Sequence, residues 1–227
     1  MKSKKFIKKQ TEAIKSEVGS QRAVVACSGG VDSSVCTLLA YRAIGKRLTT
    51  VFIDTGLMRE EESKQVIEIF KNQAVRIKLI RAQGRFLKAL KGKIDPEKKR
   101  KAFRQIFYQV FGETVKKEKA AFLIQGTIKA DIDETKRGIK TQHNVLEQIG
   151  IAPQQYGLRI IEPLKTLYKP KVRQVARSLG LPREIYERMP FPGPGLATRI
   201  IGEVTLPKLK IVRQATAIIE KELENLK

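Results

Sequence analysis

Val24-Val25-Ala26-Cys27-Ser28-Gly29-Gly30-Val31-Asp32-Ser33-Ser34-Val35-Cys36-Thr37-Leu38-Leu39-Ala40 is the stretch on which the reading of this chain turns. A short β-favouring apolar run meets a Ser/Gly loop, and an apolar segment of helical character follows, so the unit reads strand–loop–helix. Gly29 and Gly30 let the backbone approach an anion. Ser28, Ser33 and Ser34 add hydroxyl donors, and the helix that opens at Val31 turns its positive end to the same spot. The run lacks G-x-x-x-x-G-K-[ST] and is therefore not a Walker A loop. With no lysine and with Asp32 inserted, it suits a grip on pyrophosphate in which the Asp32 carboxylate holds Mg²⁺. A lone Ser-Gly-Gly would read as an ordinary turn; the full run from Ser28 to Ser34 between strand and helix favours a phosphate cradle.

Outward from this unit the chain alternates. Helices are expected over Lys8 to Val18, Ser33 to Ile44, Glu60 to Asn72, from Phe86 to Leu90, and over Pro96 to Val115. Strands are expected at Ala23 to Cys27, Leu48 to Ile53, Val75 to Ile80 and Ala121 to Gln125. Strands separated by helices make βαβ units, so the expected fold is α/β, a parallel sheet with helices on both faces. Ligands of such sheets sit at the carboxyl ends of strands. That rule gathers Ser28 to Ser34, Asp54 to Gly56 and Gly126-Thr127 on one rim.

Composition narrows the function classes. The 227 residues can bury one substantial core. No apolar run approaches the roughly 20 residues that span a bilayer, and the basic start, Met1 to Lys9, lacks a secretory apolar stretch, so no membrane role is expected. Cys27 and Cys36 read as small packed residues, which fits a cytoplasmic protein. Lys and Arg number 46 against 23 Asp and Glu, a formal charge of +23. That excess favours anionic partners: nucleotides, an acidic protein or RNA. Aromatics are 6% and Trp is absent, so no aromatic RNA-binding signature accompanies the charge.

The second half carries less regular signals. Asp131-Ile132-Asp133-Glu134-Thr135 sets three acids just after Gly126-Thr127; they read either as a solvated turn or as ligands for Mg²⁺ or a substrate. His143 is the single histidine, and it reads equally as structural or functional. Ile160 to Leu164 closes a strand, and Lys171 to Leu179 is a helix capped by Gly180. Pro190-Phe191-Pro192-Gly193-Pro194-Gly195-Leu196-Ala197-Thr198-Arg199 is a rigid loop, since proline fixes φ while glycine permits close approach.

The Ser28–Ser34 loop resembles that of the N-type ATP pyrophosphatases, which split ATP into AMP and pyrophosphate to adenylate a substrate. With Val51-Phe52-Ile53-Asp54-Thr55-Gly56-Leu57-Met58-Arg59, Gln125-Gly126-Thr127-Ile128, and Pro190 to Arg199 running into Ile200 to Thr205, the chain is similar to the ATP-pyrophosphatase part of GMP synthetase. The similarity is greatest to the separate archaeal subunit. It implies that xanthosine monophosphate (XMP) is adenylated by MgATP and then aminated by ammonia to GMP. It implies ATP contacts from Ser28, Gly29, Gly30, Val31, Asp32, Ser33, Ser34, Asp54, Gly56, Leu57, Gly126 and Thr127, with the metal on Asp32. Lys140, His143 and Asn144 match the family's I-K-S-H-H-N lid, Lys140 and His143 as catalytic groups. Asp131, Glu134, Asn144 and Arg199 are the expected substrate contacts. The chain offers no glutaminase Cys/His/Glu set, so ammonia is expected from a separate glutamine amidotransferase subunit or from solution.

Departures from the family pattern bear on the acceptor. The lid continues Gln142-His143-Asn144-Val145-Leu146-Glu147, without a second histidine or the glycine pair. Lys169-Pro170-Lys171-Val172-Arg173 replaces K-D-E-V-R, and Ala102-Phe103-Arg104 replaces I-I-G after Lys101. Residues 1–200 are expected to form the pyrophosphatase domain, and 201–227 to begin or remain from a dimerisation region, which keeps a homodimer open. There Leu209, Val212, Ala215, Ile219 and Leu223 are expected on one apolar helix face, folded on the core or paired with another chain. The alternative function is a paralogue that adenylates another acceptor, such as a tRNA base.

Overall fold

The computed structural model describes residues 2–136, 157–189, 191 and 193–225. Its strands are β1 (Ala23–Ala26), β2 (Leu48–Asp54), β3 (Ile77–Arg81), β4 (Phe122–Ile124) and β5 (Arg159–Ile161). They pair in the order β3-β2-β1-β4-β5, every neighbour parallel. Such a sheet needs both faces covered, and side-chain alternation supplies two apolar faces. Val25, Cys27 and Phe52 enter one cluster, while Val24, Val51 and Ile53 enter the other.

Helices close each face. On the first lie α1 (Lys2–Val18), α2 (Val31–Ile44), α3 (Glu62–Asn72) and α7 (Lys169–Leu179). On the second lie α4 (Gln83–Leu90), α5 (Pro96–Glu118) and α9 (Leu206–Asn225), with α6 (Lys129–Lys136) and the short α8 (Arg183–Tyr186) completing the described set. α1 buries Ile7, Ile14 and Val18 at helical spacing while its lysines face water. Burial of each such side chain stabilises the fold by roughly 1.5–3 kcal/mol. α5 starts at Pro96 behind Asp95, whose carboxylate accepts from the Lys98 N–H at 2.8 Å. α7 ends at Gly180, φ +83°, with the Gly180 and Leu181 N–H groups returning to the carbonyls of the last turn.

Asp131 to Thr135 lie on α6, where the Asp131 carboxylate accepts from the Ile128 N–H at 3.0 Å and caps the helix, so of the two readings of this acidic run the turn is excluded. One expectation changes: the apolar face of α9 is rotated. Leu209 and Thr216 point inward, whereas Ala215, Ile219 and Leu223 are exposed. The reason is polar pairing. Arg213 donates to the Gly56 and Met58 carbonyls at 2.5 and 3.0 Å, and Glu220 receives Arg59, so charged groups hold the helix against the rim. Among the described residues no helix is long and apolar enough to cross a membrane.

Candidate active site

Strand order places the site. β1 passes to β2 on one side, while β4 pairs with β1 on the other, so the connections leaving β1 and β4 diverge and open a crevice at their carboxyl ends. Into it opens a cavity of about 640 Å³, lined on one side by Ser28, Gly30, Asp32 and Lys169 and on the other by Arg104 and Phe107 of α5. Met58, Arg59, Phe191, Gly193, Pro194 and Gly195 close the third wall.

The Ser28–Ser34 loop is held by its own hydroxyls. Ser33 Oγ donates to the Gly30 carbonyl at 3.0 Å and accepts from the Ser28 N–H at 3.2 Å, while the two serine hydroxyls stand 3.0 Å apart. α2 starts behind Gly30 with no side chain capping it. Its first-turn N–H groups and positive dipole end therefore face the cavity, an arrangement suited to phosphate oxygens. Gly126, leaving β4, runs against this turn; a Cβ there would lie 3.3 Å from the Asp32 carbonyl carbon and the Ser33 nitrogen. Ser34 is fully buried and its N–H serves the Gly30 carbonyl, so it anchors the loop from below.

Asp32 is the charged centre. Its Oδ2 receives Lys169 Nζ from the start of α7 at 2.5 Å, while its Oδ1 is buried with no protein hydrogen-bond partner. Burial pushes the Asp32 carboxyl above the ordinary carboxylate range; the Lys169 hydrogen bond and charge pull it down, and Asp131 pushes it up again. A buried, unpartnered carboxylate oxygen facing an anion site suits a hard cation carried in with phosphate. No three His, Cys, Asp or Glu side chains form a metal cage among the described residues. Mg²⁺ commonly takes one or two carboxylates and completes its shell from phosphates and water. The Cys27 and Cys36 thiols are pushed up by burial and stay neutral packing groups.

The other expected residues divide. Asp54 accepts from the Gly56 N–H at 2.9 Å, and Leu57 N–H donates to Thr55 Oγ1 at 3.2 Å, which shapes the turn after β2 below the cavity wall. Thr127 accepts from Gln125 Nε2 at 3.1 Å on the β4 side. Glu134 sits on α6 with Asp131. Arg199 does not line the cavity; its guanidinium stands 4.9 Å from the Phe191 ring and donates to Thr216 at 3.2 Å. Lys140, His143 and Asn144 lie outside the described residues.

Five cations that the sequence reading assigned no role line the cavity: Lys169, Arg188 and Arg59, with Arg100 and Arg104 on α5. The lysine that begins the Lys169-Pro170-Lys171-Val172-Arg173 motif was the available signal for the first. On α5, Arg100, Arg104, Phe107 and Tyr108 face the same space, and burial pushes the Tyr108 phenol up so that it stays protonated.

Residues 2–182 match the model of the PP-loop domain family. The chain is 52% identical over 220 residues to the B-type subunit of the glutamine-hydrolyzing GMP synthase of Archaeoglobus fulgidus, covering 96% of this chain and 71% of that one. For the same subunit of Pyrococcus furiosus the figures are 51% over 221 residues, 97% and 69%, and for that of Methanosarcina barkeri 51% over 223, 98% and 72%. In fold the chain is similar to the NH3-dependent NAD synthetase of Campylobacter jejuni, with TM-score 0.63, 16% identity, and coverage of 94% and 93%. It is likewise similar to the NMN synthetase of Francisella tularensis, with TM-score 0.65, 16% identity, and coverage of 94% of each.

Proposed function

The chain belongs to the PP-loop family and, within it, to the family of GMP synthase B-type subunits, and from that premise we propose that it adenylates XMP with MgATP and aminates the product to GMP. The observation that carries this reading is identity to members of that family along nearly the whole chain. Site geometry agrees with it. The XMP O2 oxygen attacks the α-phosphorus of ATP, the bond to the bridging oxygen breaks, and pyrophosphate leaves. Ammonia then adds at the activated carbon and AMP departs. Such displacements depend on positioning and charge neutralisation more than on covalent help from the protein.

The α2 amides and the Ser28 and Ser33 hydroxyls would hold the leaving pyrophosphate, and Lys169 would offset its charge. Asp32 Oδ1 would hold Mg²⁺, which lowers the charge on the phosphates when bound. Lys140, His143 and Asn144 are assigned to the lid on the strength of the resemblance. Residues 1–200 form the pyrophosphatase unit in this reading. The glutamine-hydrolysing activity belongs to a separate polypeptide, which supplies the ammonia.

The test measures pyrophosphate and GMP from MgATP and ammonium, with and without XMP. XMP-dependent release of both supports the proposal. XMP-independent behaviour, with release restored by total tRNA, replaces XMP by a nucleic-acid acceptor. For the lid, Lys140→Ala is expected to slow adenylation about tenfold or more while changing MgATP binding less, because a closing group acts mainly in the transition state. An unchanged single-turnover rate removes Lys140 from that role.

A further inference from the structure

Arg188 lines the cavity between the phosphate loop and the second half of the chain, and its guanidinium is committed to backbone and carboxylate partners. Its Nη1 donates to the Gly29 carbonyl at 3.0 Å. Its Nη2 stands 2.9 Å from Glu62 Oε1, with the two side chains 15% and 4% exposed. Glu62 is itself fixed, since its Oε2 accepts from the Arg59 N–H at 3.0 Å at the entry to α3. One residue beyond Arg188, the Met189 carbonyl accepts from Arg59 Nη2 at 3.2 Å. Arg59 is then gripped through Nε by both carboxylate oxygens of Glu220 on α9, at 2.7 and 2.9 Å. A continuous set of charge-assisted hydrogen bonds therefore runs from the C-terminal helix to Gly29.

We infer that Arg188 is a positioning residue for the nucleotide loop, and that α9 braces it through Glu220 and Arg59. The physical reason lies in the peptide after Gly29. A carbonyl aimed into an anion site repels phosphate, and one turned onto a guanidinium leaves only N–H and hydroxyl donors facing the cavity. Arg188 holds the Gly29 carbonyl in the second orientation. Burial lowers the affinity of Arg188 for its proton, Glu62 restores it, Arg59 opposes it and Glu220 restores it further, so the two acids balance two neighbouring arginines. Lysine in place of Arg188 supplies a point charge without the fork that serves Gly29 and Glu62 together.

This inference rests on the assignment of the Ser28–Ser34 loop to ATP phosphates, and equilibrium binding of MgATP to the full chain tests the two separately. Arg188→Ala is expected to raise the Kd for MgATP about tenfold, and Arg188→Lys to recover part of that loss. Glu220→Ala is expected to raise it about threefold in the wild-type chain and to add little on top of Arg188→Ala, since contacting groups in one network do not act additively. The Kd for XMP, measured without ATP, should stay within about twofold in all three variants, which separates positioning of this loop from general loss of structure. Wild-type affinity in Arg188→Ala overturns the inference, and additive losses overturn the α9 brace. A wild-type chain that does not bind MgATP overturns the loop assignment itself.

Discussion

Asp32→Ala is expected to cut XMP-dependent pyrophosphate release by about 10²–10³-fold, because it removes a preorganised charge from the site where phosphate charge is redistributed. The same substitution is expected to leave the melting temperature unchanged or raise it. Burial pushes the Asp32 carboxyl above the ordinary carboxylate range, with Lys169 only partly offsetting this. The folded chain therefore binds that proton more readily than the unfolded chain does. Stability from this group falls as pH rises from the ordinary carboxylate range, about pH 4, through the folded value, and above it the ionised Asp32 is a net cost. Alanine removes that cost, and Lys169, with its side chain 42% exposed, can return to water. Melting curves of both proteins across pH check this: the advantage of Asp32→Ala should grow as pH rises from about 4 to 7. A variant that melts far below wild type, or that still releases pyrophosphate, contradicts the assignment.

Gly195→Ala is expected to have the largest effect on stability of any single methyl added to the site. Gly195 has φ +62°, and a Cβ there would sit 2.2 Å from the Leu57 carbonyl oxygen. The neighbouring Leu196 N–H donates to that same oxygen at 2.7 Å. Backbone opposes backbone here, so no rotamer change relieves the clash, and the turn after β2 must separate from the wall that Gly193, Pro194 and Gly195 form. The expected loss is roughly 3 kcal/mol, a fall in melting temperature of about 6–12 °C for a chain of this size. MgATP affinity should fall with it, because both walls line the cavity. Gly193→Ala is the control: a Cβ there meets nothing within 4 Å, and the change should stay within about 0.5 kcal/mol. Equal melting of the two variants would show that the Leu57 contact does not govern this wall.

Much of the frame is legible along the chain because its causes are local. The β-branched run before Ser28, the capping pattern at Asp95-Pro96, and Gly180 after Leu179 each act within one turn or one strand, and the structure places elements at each. Where partners are distant, the same kind of reading slips. α9 reads as amphipathic, yet its inward face is set by Arg213, Thr216 and Glu220, whose partners Gly56, Met58, Arg199 and Arg59 come from other elements. Lys99 offers a further case: a lysine in a strongly basic stretch is almost fully buried and donates to the Ile200 carbonyl at 2.5 Å.

By itself the sequence determined the strand–loop–helix at Ser28–Ser34, the alternation that makes a parallel sheet, and the residue types at each strand end, since these follow from hydrophobic period and backbone freedom over a few residues. Tertiary structure alone decided the rest: that β4 lies on the far side of β1 and so opens a crevice at the loop, and which of 46 cations serve it. Lys169 reaches Asp32 across 137 residues and Arg188 reaches Gly29 across 159, and only chain folding brings such charges within hydrogen-bond distance.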